Sequence, residues 1–203
     1  RVAIKLLNER LDSEPLVAER FLREARAAAA ISSPHVVRVT DFGETPSGEA
    51  FLVMELLAGR DLDAMMRAAG GPLPESLAIA IMLEVLVGLS AAHRAGVVPR
   101  DLKPANIFLA EDAGRELAKI VDFGISHARL RPEDRTLTAA GMILGTPAYM
   151  APEQIQGRPV DQRVDIYAAG VVLYQMLSGA LPHDAETFER LVRPAKVHAH
   201  MRL

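Results

Sequence analysis

Pro99-Arg100-Asp101-Leu102-Lys103-Pro104-Ala105-Asn106, with Asp122-Phe123-Gly124 downstream, is the stretch on which the reading of this chain turns. Eight residues gather an aspartate, a lysine and an asparagine, and the later turn adds a second aspartate. These are the polar parts needed to handle a metal-bound nucleotide and a hydroxyl acceptor. They offer hard oxygen ligands for a cation, a fixed positive charge for phosphate oxygens and a carboxylate to orient a hydroxyl. Asp122 follows an apolar strand pattern, so it stands at a strand end, and Gly124 gives the backbone beyond it freedom to turn. Each motif alone also reads as an ordinary polar turn; together they are specific.

Working outward, residues 1–7 alternate weakly and are rich in branched side chains, which predicts a strand. Residues 16–31 carry helical spacing, closed by Ser32-Ser33-Pro34. Residues 36–42 and 50–57 read as strands joined by a turn at 45–48, and Gly59 marks a break. A short helix over 62–69 precedes a long apolar one over 74–95, capped by Gly96 and predicted to be buried. Residues 107–109 and 117–121 form a hairpin around Asp112-Ala113-Gly114. Residues 129–147 lack a period and read as a long loop. A second buried helix covers 161–178, and residues 186–203 are amphipathic, then polar. Strands lead and helices follow, which predicts an α+β fold.

Within the first strand, Ala3 and Lys5 share one face, and Val2 and Ile4 the other. On the next helix, Val17, Phe21 and Ala28 form an apolar stripe with Glu24 in its middle. A carboxylate there needs a cation, and Lys5 is the natural candidate. Taken alone, Glu24 also reads as a solvated charge at the stripe's edge.

These motifs together resemble the eukaryotic-like (Hanks-type) bacterial serine/threonine protein kinases, and the likeness runs from Val2 to about Val197. It implies a two-lobe fold: a small antiparallel-sheet lobe over 1–57, without the family's first two strands, and a mainly helical lobe over 58–203. It implies ATP as the phosphoryl donor and magnesium, or manganese, as the metal. Asp101 would orient or deprotonate the acceptor hydroxyl, Lys103 would steady the phosphoryl group, and Asn106 and Asp122 would hold the metal. Lys5, paired with Glu24, would hold the nucleotide phosphates. Ala3 and Phe108 would enclose the adenine, Met54 would be the gatekeeper, and Glu55 and Leu57 would form the hinge whose backbone reads the base. Plain core packing is an open alternative for these last positions.

Gly145-Thr146-Pro147-Ala148-Tyr149-Met150-Ala151-Pro152-Glu153 resembles the end of the family's activation segment. The likeness implies that Thr146 favours Ser/Thr acceptors. Thr136 and Thr138 resemble activation-loop phosphosites, with Arg100 as the phosphate's partner, and they also read as ordinary loop threonines. Asp165 matches the buried aspartate that accepts backbone N–H bonds from the catalytic loop.

Three departures stand out. The glycine-rich loop is absent, leaving the 2–7 strand as an apolar sheet edge. The chain ends before the family's final helices and the arginine that pairs with the Glu153 equivalent. Pro99 replaces a histidine, removing both a backbone N–H that Asp165 would accept and a ring that would stack under Phe123.

The chain is therefore expected to be part of a protein kinase domain, incomplete at both ends, that phosphorylates Ser/Thr of proteins in bacterial signalling. A catalytically impaired pseudokinase, or a fragment that binds a nucleotide or partner, is the alternative. Trans-autophosphorylation implies a homodimer. Half the 203 residues are apolar, so the chain is globular, and a net charge of -3 gives no reason to expect nucleic acid. There is no cysteine, hence no disulfide or thiolate zinc site. No apolar run long enough to span a bilayer and no signal peptide are read, so a cytoplasmic location is expected, with any membrane anchor outside this chain. The six histidines show no ligand spacing.

Overall fold

The computed structural model describes residues 1–6, 15–112, 114–122 and 147–183. Strands β1 (Val2–Leu6), β2 (Val39–Glu44) and β3 (Ala50–Glu55) form an antiparallel sheet of order β1-β3-β2. Helix α1 (Pro15–Ala29) lies against it and buries Phe21 and Ala28 of the expected stripe, together with Ala25. β1 is an edge strand. Ala3 and Lys5 are half-buried, whereas Val2, Ile4 and Leu6 are 51%, 62% and 55% exposed; the two faces separate as the alternation predicts, and the apolar one points outward.

A second antiparallel sheet has the order β4-β5-β6, from β4 (Gly59–Asp61), β5 (Ile107–Asp112) and β6 (Arg115–Ile120). The expected hairpin is longer than its sequence signal and gains a third strand at Gly59. Ile107 pairs with Ile120, and the register runs without a slip to Asp112 and Arg115. Gly59 is no simple break: it sits at φ 133°, where a Cβ would lie 2.0 Å from the Leu109 carbonyl oxygen, so only glycine lets β4 approach β5.

The other α-helices among the described residues are α2 (Leu62–Ala69), α3 (Glu75–Arg94), the single turn α4 (Pro152–Ile155) and α5 (Arg163–Ser178). Asp61 caps α2 by accepting the Ala64 N–H at 2.7 Å. In α3, Ala78, Ile81, Met82, Val85, Leu89 and Ala92 recur at helical spacing and fill the core. By length and composition α3 could cross a membrane, contrary to the expectation that no apolar run is long enough. Here it packs on α5 and β6, and its Glu84 carboxylate accepts the Ala118 N–H at 2.7 Å.

The upper sheet is joined to the lower through residues 35–37. The Val37 N–H donates to the Ile120 carbonyl at 2.9 Å, and the Ile120 N–H donates to the His35 carbonyl at 3.0 Å. Gly88 of α3 lets the helix close on this junction, because a Cβ there would lie 2.6 Å from the His35 oxygen and 3.2 Å from Ile120. Gly88→Ala is therefore expected to destabilise the protein by about 1–3 kcal/mol through overpacking, although alanine is the better helix former. Urea unfolding checks this; unchanged or higher stability would show that α3 moves freely off His35.

Candidate active site

Residues 99–106 connect the end of α3 to β5 and close with a 3-10 turn at Pro104–Asn106. Leu102 and Pro104 are buried and pin the loop, leaving its polar residues grouped above the second sheet. Lys103 Nζ donates to Asp101 Oδ2 at 2.8 Å. The Asn106 amide nitrogen donates to the Asp101 carbonyl at 2.8 Å and to Asp101 Oδ2 at 3.2 Å. Asn106 thus spends its nitrogen on the loop, and its side-chain oxygen is the end suited to a cation. The Val121 N–H donates to the Asn106 carbonyl at 3.0 Å, which seats Asp122 one residue from Asn106 across the strand ends.

Asp122 is met from above. Lys5 Nζ, on β1, donates to Asp122 Oδ2 at 2.9 Å. The expected partner of Lys5 was Glu24, so the lysine bridges the two sheets rather than the sheet and α1. The reason is geometric: the face of β1 that carries Lys5 looks toward the end of β6. Glu24 remains half-buried on the α1 stripe.

Beneath the loop, Asp165 in the first turn of α5 is fully buried. Its Oδ1 accepts the Arg100 N–H at 2.7 Å, as expected for a loop anchor, and its Oδ2 lies 2.7 Å from His93 Nε2. Burial pushes the Asp165 carboxyl above the usual aspartate range, against the opposing hydrogen bonds from His93 and Arg100. Arg100 has φ 63°, the one positive φ outside glycine among the described residues. Its carbonyl accepts from Gln154 Nε2 at 2.9 Å, so this costly conformation is held on both sides.

Ala3 pairs with Met54 across β1 and β3, and Met54 and Leu57 pack at the edge of the core. Phe108 lies on β5, paired with Asp61 and Lys119. Glu153 opens α4 and is half-buried. Pro99 is buried. Phe123, Thr136, Thr138 and Thr146 lie outside the described residues.

Residues 1–201 match the model of the protein kinase domain family. This chain belongs to that family. It is 44% identical over 186 residues to the serine/threonine-protein kinase pkn2 of Myxococcus xanthus, covering 91% of this chain and 22% of that protein. It is 42% identical over 191 residues to PknH of Mycobacterium tuberculosis, covering 94% and 29%. Among solved structures, the PknI kinase domain of M. tuberculosis aligns with TM-score 0.70 and 30% identity, over 90% of this chain and 66% of that one. The chain thus spans about a quarter of the length of these two curated relatives. The two sheets, with α1 on the first and the helices below, are the two-lobe architecture of protein kinases.

Three side chains that contact the candidate site or the residues around it were not legible beforehand. His93 stands alone, six residues before Pro99, and invites no reading as a ligand. Gln154 becomes a loop contact only through tertiary packing. Lys119 is the third: its side chain on β6 is only 12% exposed, so its charge requires an anion. It finds Glu55 at the end of β3, with Nζ 2.7 Å from Oε1. The Arg38 N–H donates to the same oxygen at 2.9 Å. Burial alone would push the Glu55 carboxyl up, but the bonds from Lys119 and Arg38 outweigh it, and the net direction is down.

A carboxyl lowered on folding contributes stability above its unfolded-state pKa and loses it as pH falls through the folded value. Lys119→Met is therefore expected to cost about 1–2 kcal/mol at neutral pH. The gap between mutant and parent should narrow in acid as Glu55 protonates. Urea unfolding at neutral and acidic pH measures both; a gap that does not change with pH would dissociate the lysine's effect from Glu55.

Proposed function

We propose that this chain forms the reacting core of an ATP-dependent protein kinase that phosphorylates serine and threonine hydroxyls. The carrying observation is the single network of Asp101, Lys103 and Asn106, tied through Val121 to Asp122, which in turn meets Lys5. The serine/threonine kinase relatives support the acceptor class, and Lys103 fits it.

Among the described residues no group of three or more His, Cys, Asp or Glu converges as a metal cage. That fits magnesium, which takes few protein oxygens and keeps waters and substrate phosphates as ligands. Asp122 and the Asn106 oxygen would hold it, and when bound it would neutralise phosphate charge. Lys5 would exchange its contact with Asp122 for the nucleotide phosphates. Asp101, oriented by Lys103 and Asn106, accepts a hydrogen bond from the acceptor hydroxyl and takes its proton as the oxygen bonds to the γ-phosphorus. The bond from that phosphorus to the bridging oxygen breaks, and ADP leaves. Lys103, held 2.8 Å from the Asp101 carboxylate, would steady the transferring oxygens as their charge is redistributed.

The same reading assigns Ala3, Met54, Glu55, Leu57 and Phe108 to the adenine cleft, with the Glu55 and Leu57 backbone reading the base. Arg100 would receive a phosphate carried on Thr136 or Thr138, and Thr146 would favour Ser/Thr acceptors. Phosphorylation between two copies and a cytoplasmic site of action complete it.

The test is incorporation of label from γ-labelled ATP with magnesium. The parent protein is expected to label itself or a general protein substrate. Asp101→Asn is expected to fall at least about 100-fold as the acceptor loses its orienting carboxylate. Lys5→Met is expected to weaken mainly the dependence on ATP. A soluble, folded parent that transfers no label would overturn the proposal.

A further inference from the structure

Gln154 is the third residue of the short helix α4, the position from which a glutamate or glutamine side chain reaches back to the backbone N–H at the helix start. Its Oε1 does so, accepting the Ala151 N–H at 3.0 Å. A glutamate would serve that purpose equally well. The amide has a second end, and its Nε2 donates to the Arg100 carbonyl at 2.9 Å, 54 positions away. The two partners fix which end is which, because a carbonyl only accepts and an N–H only donates. Ala151 is fully buried, so the segment that carries Gln154 is itself seated. Just before it, the Tyr149 hydroxyl donates to Gln175 Oε1 of α5 at 2.7 Å.

We propose that Gln154 is a positioning residue for phosphoryl transfer: it couples the 147–155 segment to the Asp101 carboxylate by fixing the peptide plane between Arg100 and Asp101. This rests on the kinase reading above.

The peptide unit is planar, so a hydrogen bond to the Arg100 carbonyl also orients the Asp101 N–H and Cα. Two such planes flank Arg100. The one before it is held through the Arg100 N–H by Asp165, at 2.7 Å, and the one after it by Gln154. Arg100 has φ 63°, a conformation costly outside glycine, and it relaxes by turning one plane against the other. With only the first plane held, the second is the one that turns, and Asp101 turns with it. The hold on Asp101 therefore depends on residues 151–155 keeping their turn. The segment that resembles the end of an activation segment reports its own folding to the 99–106 loop through one amide. The Lys5–Asp122 pair belongs to the other end of the site and is untouched. Loss of the Gln154 donor should therefore reduce turnover and spare nucleotide affinity.

The experiment compares the parent with Gln154→Glu and Gln154→Leu. Readouts are kcat with casein as acceptor, KM for ATP, the urea midpoint and the carbon chemical shift of the Arg100 carbonyl by NMR. Gln154→Glu keeps the acceptor for the Ala151 N–H and loses the donor to Arg100. Its kcat is expected to fall about threefold to tenfold, the worth of one neutral hydrogen bond, with KM for ATP and the urea midpoint near the parent's. Gln154→Leu loses both bonds, so it should show the same fall in kcat with a lower urea midpoint. In both variants the Arg100 carbonyl resonance should move upfield as its donor is removed.

A Gln154→Glu variant with the parent's kcat would overturn the inference and leave Gln154 as a helix cap only. So would an Arg100 carbonyl resonance that stays in place in both variants, or a fall in activity carried by KM for ATP. Should Gln154→Leu fail to fold, Gln154→Glu decides alone by the same criteria. If the parent transfers no phosphate yet the resonance moves upfield in Gln154→Glu, the kinase reading fails while the coupling of the segment to the loop stands.

Discussion

One buried charge organises the lower half of this protein. Asp165 enters the core with no solvent contact, and a carboxylate there is tolerable only when its oxygens are met. The groups that meet it are the backbone of Arg100 and the ring of His93. Helix α3, the loop over 99–106 and helix α5 are therefore fixed to one another by the same two oxygens. The left-handed turn at Arg100 persists because its N–H and carbonyl are both engaged, the second by Gln154. The residues proposed to react inherit their positions from this arrangement: Asp101 follows Arg100 directly, and Lys103 and Asn106 bond to Asp101.

Among the described residues, three chemically distinct attachments hold the upper half. Backbone bonds from residues 35–37 to Ile120 form the first, with α3 pressed close by Gly88. The Glu55–Lys119 ion pair forms the second, joining the end of β3 to β6. Lys5 and Asp122 form the third, directly at the site. All three converge on β6 or the residues just after it. That strand leads, two residues past its end, to the aspartate assigned to the metal, so the relation between the sheets and the position of Asp122 are set together.

The sequence made much of this visible for physical reasons. Helical spacing is strong in 16–31, 74–95 and 161–178, and those helices are present with small shifts at the ends. Polar residues clustered in 99–106 could be read as one unit because they are local in sequence. What escaped was non-local. The three residues of β4 have no strand pattern and exist because β5 offers them an edge. Glu24 and Asp122 are both carboxylates within plausible reach of Lys5, and only the sheet geometry selects Asp122. Pro99 has no N–H to give, and the second oxygen of Asp165 is met from another helix, by a histidine 72 positions away. A lone histidine gives no sign of that.

The outward-facing apolar side of β1 also constrains the chemistry. Side chains alternate along a strand, so sliding β1 by one residue against β3 would bury Ile4 or Leu6 where Lys5 now stands. Hydrophobic burial favours that slip, since Val2, Ile4 and Leu6 are left in water. The lysine's contact with Asp122 opposes it. The ion pair is thus a register lock: the residue assigned to the phosphates also keeps its own strand from sliding into a better-packed, chemically useless alignment.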